Sequence, residues 1–449
     1  MLRAGLPDLS AGDLQSMWPL GLAHCRHAGC SNRWMALRTI CILCYHTGVI
    51  SQDILRQVLL AQHPARVPGR VVKRELVSAL PAHSSLALVL TGVRRAGKSV
   101  LQSQLMREGG RFLYCNLEDT RLYNLTAREF PMLLALIDEL APDGTRIFLD
   151  EVQEVNGWQR LVRALLDRGR PVCLTGSNAS LLGRELGSQL TGRQLSFEVF
   201  PFSYAEYLAY TQQPAGAASL QAFLGDGGFP GFLRERNDLI LQELLRDIVQ
   251  RDIAIRHRLR ESRHLMNLVL FLLANTGQQF SMQQLTKSLE IPTVSQTSRY
   301  LEYAQDAYLL FALPRFSSSF KKRVVAPNKY YAIDNGLRRA NSPQKTEDIG
   351  HRLENAVFLA LRRDRKAVSY AGEKDGWECD FVTDTHAIQV CAELTDENLE
   401  REARGAMRGT ALPGSRQALI LTIDQRDSIR SGDGWVEVQP AWEWLTHSN

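Results

Sequence analysis

The octapeptide Gly92-Val93-Arg94-Arg95-Ala96-Gly97-Lys98-Ser99 constrains this chain more than any other stretch. It fits the pattern G-x-x-x-x-G-K-[ST] without a mismatch. Ahead of it, Leu86-Ala87-Leu88-Val89-Leu90 is a short apolar run of the kind that forms a buried parallel strand. Behind it, Val100, Leu101, Leu105 and Met106 recur at helical spacing, so a helix opens near Lys98. Strand, glycine-rich turn and helix in that order aim backbone N–H groups at a phosphate, and the helix N-terminus adds partial positive charge. Gly92 to Ser99 are therefore expected to hold the phosphates of ATP. In that arrangement Lys98 reaches the β- and γ-phosphates and the Ser99 hydroxyl binds Mg²⁺.

Further strands and helices alternate downstream. Arg111–Leu117 reads as a strand and Arg128–Leu140 as a helix. Arg146-Ile147-Phe148-Leu149-Asp150-Glu151 is an apolar strand that ends in two adjacent carboxylates. Asp150 is expected to hold Mg²⁺ and Glu151 to aim the attacking water, because phosphoryl transfer needs positioning more than covalent help. After a helix from Trp158 to Asp167 comes the strand Pro171–Thr175, then Gly176-Ser177-Asn178. Ser177 or Asn178, with Asn178 preferred, is placed to sense the γ-phosphate. An Asn/Ser turn is the plainer alternative. Arg193 is a candidate charge-stabilising arginine, in its own site or toward a neighbouring subunit; an exposed structural arginine is the other reading. The polar positions sit at strand carboxyl ends, as in a doubly wound α/β sheet with its crevice.

Composition bounds the rest. At 449 residues, the chain is long enough for two to four domains. It has 45% apolar and 22% charged residues, as ordinary globular proteins do. No run of 18 apolar residues occurs and no secretory leader is legible, so a cytoplasmic protein without a membrane span is expected. A net charge of +5 permits nucleic-acid contact without arguing for it. Four of the eight cysteines, Cys25, Cys30, Cys41 and Cys44, fall in residues 1–48 with His24, His27 and His46 nearby. These are ligands enough for a tetrahedral zinc site. The loose Cys25-x4-Cys30 spacing and the apolar run around Cys41 and Cys44 favour a plainer reading, an extension upstream of a true start near Val49.

Val71 to Leu80 reads as a helix leading to the loop strand. Residues 218–260 read as helices interrupted at Gly225–Gly231, a hinge or tight turn. Residues 264–311 read as three helices and the opening of a strand, a helix-turn-helix of the winged type. Ser281 is its N-cap, Arg299 the one cation of the third helix, and Lys321-Lys322-Arg323 lie in the wing. DNA and a protein partner are alternative occupants of such a module. The tail carries Glu354 on a helix, Asp380 on a strand, and Gln389 and Cys391 on the next strand, after which Gln417–Thr422 reads as a final strand. Acid on a helix, then acids and a lysine on successive strands, is the PD-(D/E)xK nuclease skeleton. Here an amide stands where the second strand acid belongs and a thiol where the lysine belongs, so an inactive centre is expected.

The order of these motifs resembles the prokaryotic AAA-type P-loop ATPases that carry a C-terminal domain of unknown function (the 4143 family). The phosphate loop, Leu149-Asp150-Glu151, Thr175-Gly176-Ser177, Leu190-Thr191-Gly192-Arg193, Gly227-Gly228-Phe229-Pro230, Tyr331–Leu337 and Leu353-Glu354-Asn355 carry the resemblance. It implies ATP and Mg²⁺ as cofactors, ATP hydrolysis, and a nuclease-like tail that often lacks the full catalytic set. The expected organisation is an N-terminal segment at 1–48, an AAA-type P-loop ATPase domain of parallel α/β fold at 49–215 and a helical lid or hinge at 216–260. A winged-helix-like domain follows at 261–342, then an α/β restriction-endonuclease-like domain at 343–449. The expected role is a nucleotide-driven conformational switch acting on a protein partner or a second copy. The alternatives are an ATP-regulated DNA-binding protein and an ATP-gated, Mg²⁺-dependent nuclease.

Overall fold

Five segments, most of them apolar, build one parallel sheet. In the computed structural model, β1 (Ala87–Thr91), β2 (Phe112–Asn116), β3 (Arg146–Asp150), β4 (Val172–Gly176) and β5 (Gln194–Glu198) pair in the order β2-β3-β4-β1-β5. Every pairing is parallel. β1 and β4 are buried along their whole length, as strands covered on both faces must be. The structure describes residues 50–62, 71–81, 84–177, 192–319, 326–342, 348–373, 376–414, 416–432 and 434–447. The cysteines and histidines of residues 1–48, Asn178, Leu190-Thr191 and Lys321-Lys322-Arg323 lie outside them. The chain divides into two units, Met1–Ser51 and Gln52–Asn449, and every helix and strand named here belongs to the second.

The helices of the first half are α1 (Gln52–Ala61), α2 (Leu76–Ala79), α3 (Lys98–Glu108), α4 (Phe130–Leu140) and α5 (Trp158–Asp167). α5 shows the periodicity that makes such helices: Trp158, Leu161, Val162 and Leu165 form its buried face. The helix expected over Val71 to Leu80 shrinks to the single turn of α2. The Gln104 side chain accepts from the Arg74 N–H and donates to the Val72 carbonyl, so both backbone groups are already satisfied without a helix.

After β5 come α6 (Tyr204–Thr211), α7 (Ala217–Asp226), α8 (Pro230–Glu235), α9 (Leu239–Asp247) and a π-helical stretch, Ile248–Ile255. A capping box starts α6: Ser203 Oγ accepts the Glu206 N–H, and the Glu206 carboxylate accepts the Ser203 N–H. The Gly225–Gly231 stretch is a tight, pinned crossing. The Gly228 N–H donates to Asp334, and the Gly228 carbonyl accepts the Phe202 N–H.

α10 (Arg263–Ala274), β6 (Gln279–Phe280), α11 (Met282–Ser288), α12 (Val294–Asp306), β7 (Leu310–Leu313), β8 (Asn328–Ala332) and α13 (Asn335–Asn341) come next in the chain. The three strands pair antiparallel in the order β6-β8-β7. The tail consists of α14 (Ile349–Arg363), β9 (Ser369–Glu373), β10 (Trp377–Val382), β11 (His386–Val390), α15 (Leu399–Thr410), β12 (Gln417–Thr422), β13 (Asp427–Ser431), β14 (Gly434–Pro440) and α16 (Ala441–His447). Its mixed sheet has the order β13-β14-β12-β11-β10-β9. The strands expected from the sequence end at β12. β13 is largely exposed and polar, so it has no apolar run to announce it. One apolar core extends from Val72 through the sheet and the middle helices to Leu445. Among the described residues, no helix is long and apolar enough to cross a membrane.

Candidate nucleotide-binding site

β1 delivers the chain to Gly92 at its carboxyl end. A Cβ on Gly92 would lie 2.1 Å from the Val199 carbonyl oxygen, so only glycine lets the loop turn there. Gly97, at φ 99°, leads directly into α3. Val93 and Ala96 face the core, whereas Arg95 is exposed with φ 64°. Lys98 is buried, and its Nζ donates to the Gly92 and Val93 carbonyls at 3.1 and 3.2 Å. Ser99 lies in the first turn of α3, where helix N–H groups are free to meet an anion. Arg94 makes a forked pair with Asp252 of the π-helical stretch, at 3.0 and 2.9 Å. That bond raises the Arg94 guanidinium above its ordinary range and keeps it charged.

Asp150 ends β3 and is buried. Its Oδ2 accepts from the Tyr114 hydroxyl at 2.8 Å, and its Oδ1 accepts from the Thr175 hydroxyl of β4. Thr175 Oγ1 also accepts the Glu151 N–H at 2.9 Å, so one side chain sets both acids. Burial first, then the nearby Asp150 carboxylate, raises the Tyr114 phenol well above its usual range, so it remains a donor. Glu151 takes a left-handed φ of 51°, a backbone state that persists where surroundings enforce it and that clusters at functional sites. Its Oε2 accepts from Gln153 Nε2 at 2.5 Å, and its Oε1 lies 3.8 Å from Lys98 Nζ. Gln153 also donates to Ser177 Oγ at 3.3 Å. Lys98, Glu151 and, through Gln153, Ser177 thus gather at the carboxyl end of the sheet.

Arg193 does not join them. It precedes β5, where its carbonyl accepts the Ala87 N–H, and its side chain pairs with Asp167. That is the start of β1, and the phosphate loop follows its end. Four residues of strand separate the two levels, roughly 13 Å. The cis role considered for Arg193 is therefore corrected: it sits at the opposite end of the sheet in an exposed ion pair.

A different arginine reaches the loop. Arg74 is buried and donates to the Ala96 carbonyl at 2.9 Å, to Glu206 at 2.8 Å and to the Phe200 carbonyl at 2.6 Å. Nothing local in the sequence marks Arg74, Tyr114, Gln153 or Gln102, whose Nε2 donates to the Leu149 and Cys173 carbonyls. Their partners are brought close only by folding. The loop is also bonded to later parts of the chain. Besides Arg94 and Asp252, Thr91 Oγ1 and the Tyr308 hydroxyl are 2.7 Å apart.

Residues 84–208 match a family model described as an AAA domain, and residues 218–348 match a domain of unknown function, DUF8612. The uncharacterized protein MJ1544 of Methanocaldococcus jannaschii is 30% identical over 435 residues, covering 89% of this chain and 96% of that protein. The chain belongs to this family of AAA-domain proteins. An uncharacterized Haemophilus influenzae protein is 30% identical over 338 residues, covering 70% of this chain and 84% of its own length. Among solved structures, that of the Aeropyrum pernix Orc1 protein in complex with DNA aligns at 15% identity and a TM-score of 0.26. It covers 64% of this chain and 95% of that one. The matched AAA domain holds the whole nucleotide-site constellation from Gly92 to Ser177. The domain of unknown function that comes after it is numbered 8612 rather than 4143 and ends at residue 348, ahead of the tail.

The tail has an acidic centre of its own. Glu354 of α14 and Glu378 and Asp380 of β10 converge on Lys329 of β8, whose Nζ lies 3.0, 2.6 and 2.9 Å from their oxygens. Gln389 accepts the Asp380 N–H at 3.3 Å. Burial pushes the Cys391 thiol up to about 12, so it is neutral near pH 7.

Proposed function

We propose that this AAA-domain protein binds ATP with Mg²⁺ at Gly92–Ser99, hydrolyses it, and uses the nucleotide state as a conformational switch. The observation that carries the reading is the forked pair between Arg94, inside the phosphate loop, and Asp252, in the π-helical stretch beyond the AAA domain. A change at the phosphates is felt by that pair directly.

The residues fit the cofactor. The Asp150 carboxylate and the Ser99 hydroxyl are hard oxygen donors of the kind Mg²⁺ takes. Bound Mg²⁺ with ATP supplies a polarised γ-phosphoryl group. Lys98 exchanges its two carbonyl partners for phosphate oxygens. Glu151, steadied by Gln153 through one oxygen, uses the other to orient water. Asn178 is kept as a candidate sensor beside Ser177. The helices of 216–260 act as the lid. The order helix, strand, helix, helix, strand, strand from α10 to β8 supports the winged-helix-like reading of 261–342. Glu354 and Asp380 support the nuclease-like ancestry of 343–449. Arg299 is the one cation on the exposed face of α12, whose other exposed residues include Ser295 and Glu302, so a protein partner or second copy is favoured over DNA.

The test is ATP turnover by the wild type, Lys98→Ala and Glu151→Gln, with and without DNA. Loss in both variants, with nucleotide binding kept in Glu151→Gln, is expected. Hydrolysis near the wild-type rate in Lys98→Ala would sink the assignment, and stimulation by DNA would move the partner from protein to nucleic acid. Hydrogen exchange over 248–255 with ATP and with ADP tests the switch; identical protection would refute it.

A further inference from the structure

We propose that the ammonium of Lys329 takes the cation position of the nuclease-like centre, making it a metal-independent joint between the tail and the middle of the chain. The acids that the nuclease-like skeleton would give to Mg²⁺ are Glu354 and Asp380. Lys329 Nζ contacts Glu354 Oε1 at 3.0 Å and Asp380 Oδ1 at 2.9 Å, and Glu378 Oε1 at 2.6 Å. An ammonium has three N–H donors. Here Nζ hydrogen-bonds to Glu354 and Asp380 and ion-pairs with Glu378, so its charge is answered within the centre and not held for a phosphate or a water nucleophile. This separates a plug from a catalytic lysine.

Two further donors meet these acids. Glu354 Oε1 accepts from the Tyr331 hydroxyl at 2.6 Å, and Asp380 Oδ2 accepts the Val390 N–H at 3.0 Å. Gln389 is spent on the Asp380 N–H, and Cys391 stays protonated. The charge that the tail lacks at Cys391 thus comes from β8, in a different sheet. Lys329 is 2% exposed, and the acids around it hold its ammonium charged against the cost of burial. A cleft of about 670 Å³ opens over the centre, so its closure to metal comes from the lysine and not from lack of access.

The experiment follows Mn²⁺ binding by electron paramagnetic resonance and by thermal shift, without nucleotide. All proteins carry Asp150→Asn, which removes the acid of the phosphate site. With Lys329 in place, no Mn²⁺ site and no shift are expected. With Lys329→Met, the melting temperature should fall, and millimolar Mn²⁺ should raise it again by several degrees. If that variant does not fold, Lys329→Met with Glu378→Gln keeps Glu354 and Asp380 at lower charge and gives the same readout. Mn²⁺ binding with Lys329 present that disappears in Asp380→Asn would overturn the proposal. So would a folded Lys329→Met protein, single or combined, that Mn²⁺ neither binds nor stabilises.

Discussion

Among the described residues two lysines are buried, Lys98 and Lys329, and their neighbours give them opposite characters. Lys98 rests on two neutral carbonyls, and the Glu151 carboxylate is 3.8 Å away. Its charge is only partly answered. Lys329 touches three carboxylates at 3.0 Å or less. The first arrangement leaves a positive charge ready for a phosphate; the second closes on itself. A lysine beside acids is therefore a ligand site or a structural joint according to how many carboxylates already answer its charge.

The comparison breaks most readily at Lys329. Lys329→Met leaves three acids without their cation and should cost about 3–5 kcal/mol of stability, read by urea unfolding. The same measurement on Lys98→Ala should show a loss of only about 1–2 kcal/mol. Equal losses would erase the distinction. Turnover should show the reverse contrast, with Lys98→Ala slowing ATP hydrolysis on the order of 100- to 1,000-fold. The pinned crossing at Gly225–Gly231 is tested by Gly228→Ala. Its Cβ would meet the Phe202 carbonyl oxygen at 2.3 Å, so a loss of about 1–3 kcal/mol is expected in thermal unfolding. A double-mutant cycle on Arg94→Ala and Asp252→Asn should return a coupling of about 1 kcal/mol, changed by ATP.

The smallest effect belongs to a half-buried pair, Arg339 with Asp238, joined by two bonds of 2.7 and 2.6 Å. Arg339 holds the Asp238 carboxyl below its ordinary value. A depressed carboxyl contributes stability above the unfolded value near 3.9 and loses it as pH falls below that. Wild type and Arg339→Ala should differ by about 0.5 kcal/mol at pH 7 and converge below about pH 4. A gap that persists in acid would mean that packing on Phe232, and not charge, holds Arg339.

The nucleotide site was legible because its chemistry is local. The turn at Gly92, the helix at Lys98 and the acids ending β3 come from neighbours in the chain, where backbone dihedrals and strand direction decide what faces a phosphate. Residues that work across the fold were not legible. Arg193 looked eligible as an arginine near a phosphate-site motif, yet strand direction puts it at the wrong end of β1. Arg74, Tyr114 and Gln153 carry no signature, since a hydrogen-bond partner brought close only by folding leaves no periodicity behind. The tail repeats the lesson. Glu354, Asp380, Gln389 and Cys391 could be read as a defective nuclease skeleton from their order alone. That the missing cation is Lys329 was decided only when β8 packed beside α14 and β10, because an ammonium is matched by carboxylates near it in space, wherever they lie in the chain.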